Sequence, residues 1–422
     1  MNHLDLKYEK YKLQNGLQVI LHKADKPHLA AVNLWYKVGS AYEVKGKTGL
    51  AHLFEHMMFQ GSLNVPKEMH FKYIQEAGGS LNASTAFDRT NYYEKLPSNY
   101  LELALWLESD RMGFFLPALT QEKLDNQKDV VKNERLERYD NQPYGLAWEL
   151  ILANIYPQDH PYNSSTIGSI NDITSFTIDD VTSFFKKHYS PANASLVIAG
   201  NFEFQQAKDL VEKYFGEIPD FSDSILPAAR KNHLIENKIF IHYDNVQLSR
   251  IYFVWSSVNF FHEDESALII LANILTDSKK SRLYNSIVYE KEIAQDVSAY
   301  NFSGKFGGHF MIAATVKPGK SIEQVKDEIF SELKKIAVNS ITETELLKTK
   351  NILKSLFIYS LQRLDSLADI INSYDYYLGE PNSLSFDLER FTNLKTEDIE
   401  RAANKYLTSP YFELRILPEK DR

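Results

Sequence analysis

Two stretches of this 422-residue chain, half its length apart, pass through the same succession of signals. Ile178-Asp179-Asp180-Val181 opens a helical pattern that gives way at Ser190-Pro191 to an apolar strand. Thr396-Glu397-Asp398-Ile399 opens another, which gives way at Ser409-Pro410 to a second strand. Similarity at half the chain length points to a duplicated domain rather than a short-period solenoid. The run from Ile218-Pro219 to Leu226-Pro227 and the charged stretch after it read as the joint between the copies. The expected organisation is therefore 1–216, a linker 217–236, and 237–422.

Within the first copy, strand and helix patterns are mixed. Asn15-Gly16 between Tyr11–Leu13 and Leu17–Leu21 is a hairpin turn. Val32, Leu34, Tyr36 and Val38 alternate as in a half-buried strand, and residues 80–85 and 90–96 read as two short ones. Helical patterns cover about 48–60, 100–113 and 121–141, and the second copy restarts with strands at 239–242 and 249–255 and a helix at 265–275. Each copy is thus an α+β domain.

Composition removes several classes of function. A net charge of −9, from 47 basic and 56 acidic residues with no basic block, argues against nucleic acid. No cysteine is present, so any metal must be held by His and carboxylate. No apolar run is long enough to span a bilayer. The segment Met1–Leu6 has no charged-then-apolar leader, which places the chain as it stands in the cytoplasm, or in the periplasm if a leader was removed.

The residues that carry chemistry begin at His52-Leu53-Phe54-Glu55-His56. On a helix, His52, Glu55 and His56 fall within one arc of about 100°, and Leu53, Phe54, Met57 and Met58 fill the rest. A lone histidine on such a helix reads as a hydrogen-bonded core residue. Two at i and i+4 with a carboxylate beside them need something to neutralise them, and both imidazoles can reach one zinc ion. Glu55 is then placed as general base toward a water. By chance, such a motif should occur in roughly one chain of this kind in forty. A third ligand is wanted. Glu134, at i+4 from Val130 and i+3 from Val131 in Val130-Val131-Lys132-Asn133-Glu134-Arg135, projects from the apolar stripe toward the core; Glu137 borders the same stripe as the fallback, and a solvated carboxylate is the bland reading of either. Two His, one Glu and an open position form a catalytic pattern.

The order His-x-x-Glu-His, followed on a later helix by Glu134, resembles the inverzincins of the pitrilysin and mitochondrial-processing-peptidase type. Gly49-Leu50-Ala51 before the motif and Phe59-Gln60-Gly61-Ser62 after it are similar to that family. So are Gly78-Gly79-Ser80-Leu81-Asn82-Ala83-Ser84-Thr85 with Asp88, Thr90 and Tyr92, and Ser281-Arg282-Leu283-Tyr284 in the second copy. The resemblance implies two homologous domains, each a mainly antiparallel sheet flanked by helices, facing each other across a chamber. It implies one Zn2+ per chain on His52, His56 and Glu134, Glu55 as the catalytic base, and substrate backbone adding to the strand of Asn82 and Ala83.

One departure shapes the functional expectation. The resemblance calls for an Arg and a Tyr, seven residues apart, in the second domain. Aligned on Ser281-Arg282-Leu283, those positions hold Val288 and Gln295; Arg282 and Tyr289 have the spacing but not the register. The chain is therefore expected to be the metal-bearing subunit of a two-subunit zinc metalloendopeptidase acting on peptides or unfolded segments. A homologous partner would supply the Arg–Tyr pair, with a homodimer as the alternative. A non-catalytic structural subunit of the same fold is the competing reading, against which the intact motif speaks. A zinc hydrolase acting on a small amide is a third, disfavoured by the edge strand.

Overall fold

The computed structural model describes residues 4–24, 28–221, 226–227, 234–338 and 341–422. The expected linker, 217–236, lies partly outside the described residues, at 222–225 and 228–233. The chain divides into two compact units that do not follow its linear halves. The first holds Met1–Arg135, Ser164–Pro227 and Ile358–Ser385; the second holds Leu136–Asn163, Ala228–Phe357 and Phe386–Arg422.

The strands are β1 (Glu9–Lys12), β2 (Gln18–Lys23), β3 (Leu29–Tyr36), β4 (Ser80–Thr85), β5 (Thr90–Pro97), β6 (Ala194–Gly200), β7 (Lys238–Asp244), β8 (Arg250–Ser257), β9 (Ala294–Gly304), β10 (Gly307–Val316) and β11 (Tyr411–Pro418). Helices of the first half are α1 (Leu50–Met57), α2 (Met69–Glu76), α3 (Leu101–Phe114), α4 (Gln121–Arg135), α5 (Ala147–Ile155), α6 (Ile170–Ser175), α7 (Ile178–His188) and α8 (Phe204–Phe215). Those of the second are α9 (Glu265–Thr276), α10 (Ile322–Ala337), α11 (Glu343–Leu361), α12 (Leu364–Leu378), α13 (Leu384–Thr392) and α14 (Thr396–Leu407). Among the described residues, no helix is long and apolar enough to cross a membrane.

The duplication is visible in the sheets. The first runs β1-β2-β6-β3-β5-β4 and the second β7-β11-β8-β10-β9. In each, one parallel pair (β2 with β6, β7 with β11) sits in an otherwise antiparallel sheet. The last five strands of the first sheet therefore follow the same path as the five of the second. Asn15-Gly16 makes the turn between β1 and β2, with Gly16 at φ +89°, where a side chain would be strained. β6 has no exposed residue, as expected of a central strand covered on both faces.

What covers the outer faces was not legible in the linear order. Helix α12, from the end of the chain, packs on β3, β5 and β6 of the first unit. Helix α5, from the first half, packs on β8 and β11 of the second. The two begin at Ala147 and Leu364, again half a chain length apart, so the copies have exchanged equivalent helices. In the first unit the exchange is anchored by polar bonds. Asp369 on α12 accepts from Trp35 Nε1 at 2.8 Å and Asn91 Nδ2 at 2.9 Å.

On the opposite face of that sheet, α1 packs through buried Leu53, Phe54 and Met57. The Phe54 ring lies 4.1 Å from Tyr189 and 5.3 Å from Phe115, centroid to centroid. Burying such an aromatic is worth about 1.5–3 kcal/mol, so this packing fixes the rotation of the helix about its axis.

Candidate metal centre

That rotation leaves His52, Glu55 and His56 on the less buried side of α1. The two imidazoles stand one above the other, 4.8 Å between centroids. Glu134, in the last turn of α4, meets them: its Oε2 is 3.8 Å from His52 Nε2 and 3.4 Å from His56 Nε2. One ligand atom from each residue lies within 4.8 Å of the others. These separations are too long for good hydrogen bonds. A tetrahedral ion with bonds of about 2.0–2.1 Å sets its ligand atoms about 3.4 Å apart; the His56–Glu134 separation equals this and the His52–Glu134 separation is slightly longer. The residues therefore fit zinc, and nitrogen–nitrogen–oxygen donation is its catalytic ligand set.

Val130, treated in the sequence as part of an apolar stripe, is 40% exposed; Val131 is the buried residue of that turn. Glu134 thus comes to the site from the flank of α4. Glu137, the fallback, is exposed on the π-helical turn Leu136–Asp140, which goes with the second unit. It is not one of the three ligands that gather.

Glu55 is not one of the three. Its Oε2 accepts from the Thr85 hydroxyl at the end of β4. Burial pushes the Glu55 carboxyl up, while Thr85 and His56 pull it back. Asn82 and Ala83 lie on β4, the outermost strand of its sheet. Asn82 is exposed, and its Oδ1 accepts the Ala83 N–H at 2.9 Å.

Two supports went unread in the sequence. Thr85 closes the Gly78–Thr85 motif, but which oxygen it reaches depends on how β4 lies against α1. Glu43 carried no local signal. Its carboxylate accepts from Gly49 N at 2.9 Å and Ala51 N at 2.8 Å, so it caps the start of α1 from a turn that precedes the helix.

In the second unit, Arg282 is committed to Glu345 by two parallel bonds, Nε to Oε1 at 2.7 Å and Nη2 to Oε2 at 2.8 Å. Tyr289 is 75% exposed, and Val288 packs against the core. A second acidic group, His262, Glu263 and Asp264, also gathers three potential donors. Asp264 there accepts from Arg401, Lys405 and Tyr406 at 2.7–2.8 Å, and against the effect of burial these hold its carboxyl down at about 2. That charge is already balanced by protein cations. In the His52 group, donor atoms of two imidazoles and one carboxylate lie within 4.8 Å of one another, an arrangement that a shared metal ion would suit.

Comparison with known proteins agrees with this geometry. Residues 18–169 match the family model described as insulinase, peptidase family M16, and residues 175–353 match the one described as the peptidase M16 inactive domain. The chain is 30% identical to zinc protease PqqE of Helicobacter pylori over 95% of its length and 90% of that protein. It is 23% identical to a probable mitochondrial-processing peptidase subunit beta of Arabidopsis thaliana over 94% of its length and 75% of that protein. A solved protease from Helicobacter pylori superposes with a TM-score of 0.92 at 29% identity, covering 98% of this chain and all of that one. With both halves matched by M16 models and a relative at this identity along nearly its whole length, the chain belongs to peptidase family M16, the insulinase family.

Proposed function

We propose that the chain is a zinc-dependent peptidase that hydrolyses peptides or unfolded segments. The observation that carries this is the convergence of His52, His56 and Glu134 at ligand spacing, with Glu55 beside them and outside the ligand set. Zinc, when bound, would polarise the scissile carbonyl and acidify a water. The chain's own residues do the rest. His52, His56 and Glu134 hold the ion. Thr85 orients Glu55 so that its other oxygen can accept the proton of the attacking water and pass it to the leaving amine. Along β4, an extended substrate takes over the Ala83 N–H now held by Asn82, so its backbone is bound with little dependence on side chains.

Replacing Glu55 with Gln should leave about one zinc per chain and lower the rate of peptide cleavage by at least about a thousandfold. Metal analysis and a cleavage assay on the same sample check this. Cleavage at the wild-type rate would remove Glu55 from the mechanism.

A two-subunit arrangement is favoured by one further observation. Arg282 is occupied by Glu345, and Val288 and Gln295 offer neither a cation nor a phenol. Fixed donors to the developing oxyanion would then come from a homologous partner. Peptide cleavage should rise when such a partner is added to the purified chain; an unchanged rate speaks for a homodimer or a self-sufficient chain.

A further inference from the structure

We propose that the segment Ser165–Asp172 is a clip that sets the spacing between the helix bearing His52 and His56 and the helix bearing Glu134, with Thr48, Arg135 and Asp172 as positioning residues. The proposal rests on the zinc reading above and adds what holds the three ligands at the right separation.

The segment touches α4 at Arg135, the residue next to Glu134, and the backbone leading into α1 at Thr48, four residues before His52. On the α4 side, Arg135 follows Glu134 directly, is buried, and donates through Nη1 to the Gly168 carbonyl. On the α1 side, Asp172 Oδ2 accepts from Thr48 N at 3.0 Å and from the Thr48 hydroxyl. Thr48 Oγ1 in turn accepts from Ser169 N at 3.1 Å. Asp172 is itself fixed, since its N–H donates to the Ser169 hydroxyl that caps α6. Between these bonds the two backbones are in contact. A Cβ on Gly168 would sit 2.2 Å from the Thr48 carbonyl oxygen, and one on Gly49 would sit 2.4 Å from that of Ile167. Both glycines have positive φ, so the contact needs glycine on each side.

The position of the clip along the chain explains why one is needed. Glu134 and Arg135 are the last residues of their segment in the first unit; from Leu136 the chain belongs to the second. At Arg135 the α-helical bonding of α4 gives way to the π-helical turn Leu136–Asp140, and this last α-helical turn carries a ligand to a site whose other two donors lie on α1. Supporting bonds of this kind commonly change metal affinity by about 10–100-fold when removed, because a ligand that must be ordered on binding costs affinity.

The test uses the full chain and reads zinc affinity by competition with a chelator, alongside the melting temperature of the zinc-free protein. Arg135→Met removes the donor and keeps the stem; Thr48→Val removes the hydroxyl at constant volume, and Thr48→Ser restores it. Arg135→Met and Thr48→Val should each weaken zinc binding by at least about tenfold, with the zinc-free melting temperature of Thr48→Val within a few degrees of wild type. Thr48→Ser should bind like wild type. Wild type that binds zinc, with both variants binding equally tightly, would overturn the clip alone. So would affinity losses that only track a fall in zinc-free stability. Wild type that takes up no zinc would overturn the metal reading and the clip with it.

Discussion

Glu43 is a half-buried carboxylate placed where α1 has unsatisfied N–H groups. Burial pushes its carboxyl up to about 8, against the pull of the Ala51 and Gly49 N–H donors. Its folded value is therefore raised above the unfolded one. The stabilisation is complete below about pH 4.5 and is lost as pH rises toward 8. A Glu43→Gln variant lacks this titration. Its unfolding free energy should gain on wild type between pH 4.5 and 8, by on the order of a few kcal/mol, and run parallel above that range. Urea denaturation at a series of pH values checks it; a constant difference would show that Glu43 does not titrate there. Arg111 presents the opposite problem. It is buried over the Tyr92 ring at 4.0 Å, paired with Glu108, with Glu94 also enclosed. Burial and the neighbouring Glu108 hold the Glu94 carboxyl well above its usual range, so the cluster is kept close to charge balance. Arg111→Met removes the one cation and should cost about 3–5 kcal/mol in the same assay.

At the scale of elements, the proposed chemistry brings β4 and α1 together, joined by the Thr85–Glu55 bond. If β4 receives substrate backbone through the Ala83 N–H, Ala83→Pro should raise KM or lower kcat/KM by at least about tenfold while zinc content stays unchanged. An unaltered kcat/KM would place substrate elsewhere. The sequence made these elements readable for physical reasons. Val32, Leu34 and Tyr36, alternating with other residues, mark β3 as a strand, although it is buried on both faces and not half-buried as expected, and an apolar arc interrupted by His52, Glu55 and His56 marks α1. Glu134 was readable only as one of two candidates, because both lie along one helical pattern. The choice depends on where α4 ends and the π-helical turn begins, which periodicity does not encode. Thr85, Glu43 and Asp172 were not readable as supports, since each acts through a contact made by tertiary packing with a distant or differently oriented backbone.

At the scale of the whole molecule, duplication was visible as a repeat at half the chain length, but the exchange of α5 and α12 was not. A helix that packs on its own sheet and one that packs on the other copy's sheet have the same amphipathic pattern. The exchange has a direct consequence. Fragment 1–227 lacks α12, which leaves Trp35, Asn33 and Asn91 without the Asp369 carboxylate and uncovers the apolar face around them. Expressed alone, it should be insoluble or bind a hydrophobic dye, and co-expression with 228–422 should yield a soluble complex. A folded, monomeric 1–227 would contradict the exchange.

The proposed chemistry requires zinc held by two imidazoles and one carboxylate. X-ray absorption at the zinc edge of the reconstituted chain tests this most directly. The spectrum should show a four-coordinate shell of nitrogen and oxygen at about 2.0–2.2 Å, with outer scattering from two imidazoles, and loss of one oxygen donor or of the metal in Glu134→Gln. A shell with fewer than two imidazoles, or one indifferent to Glu134, would contradict it.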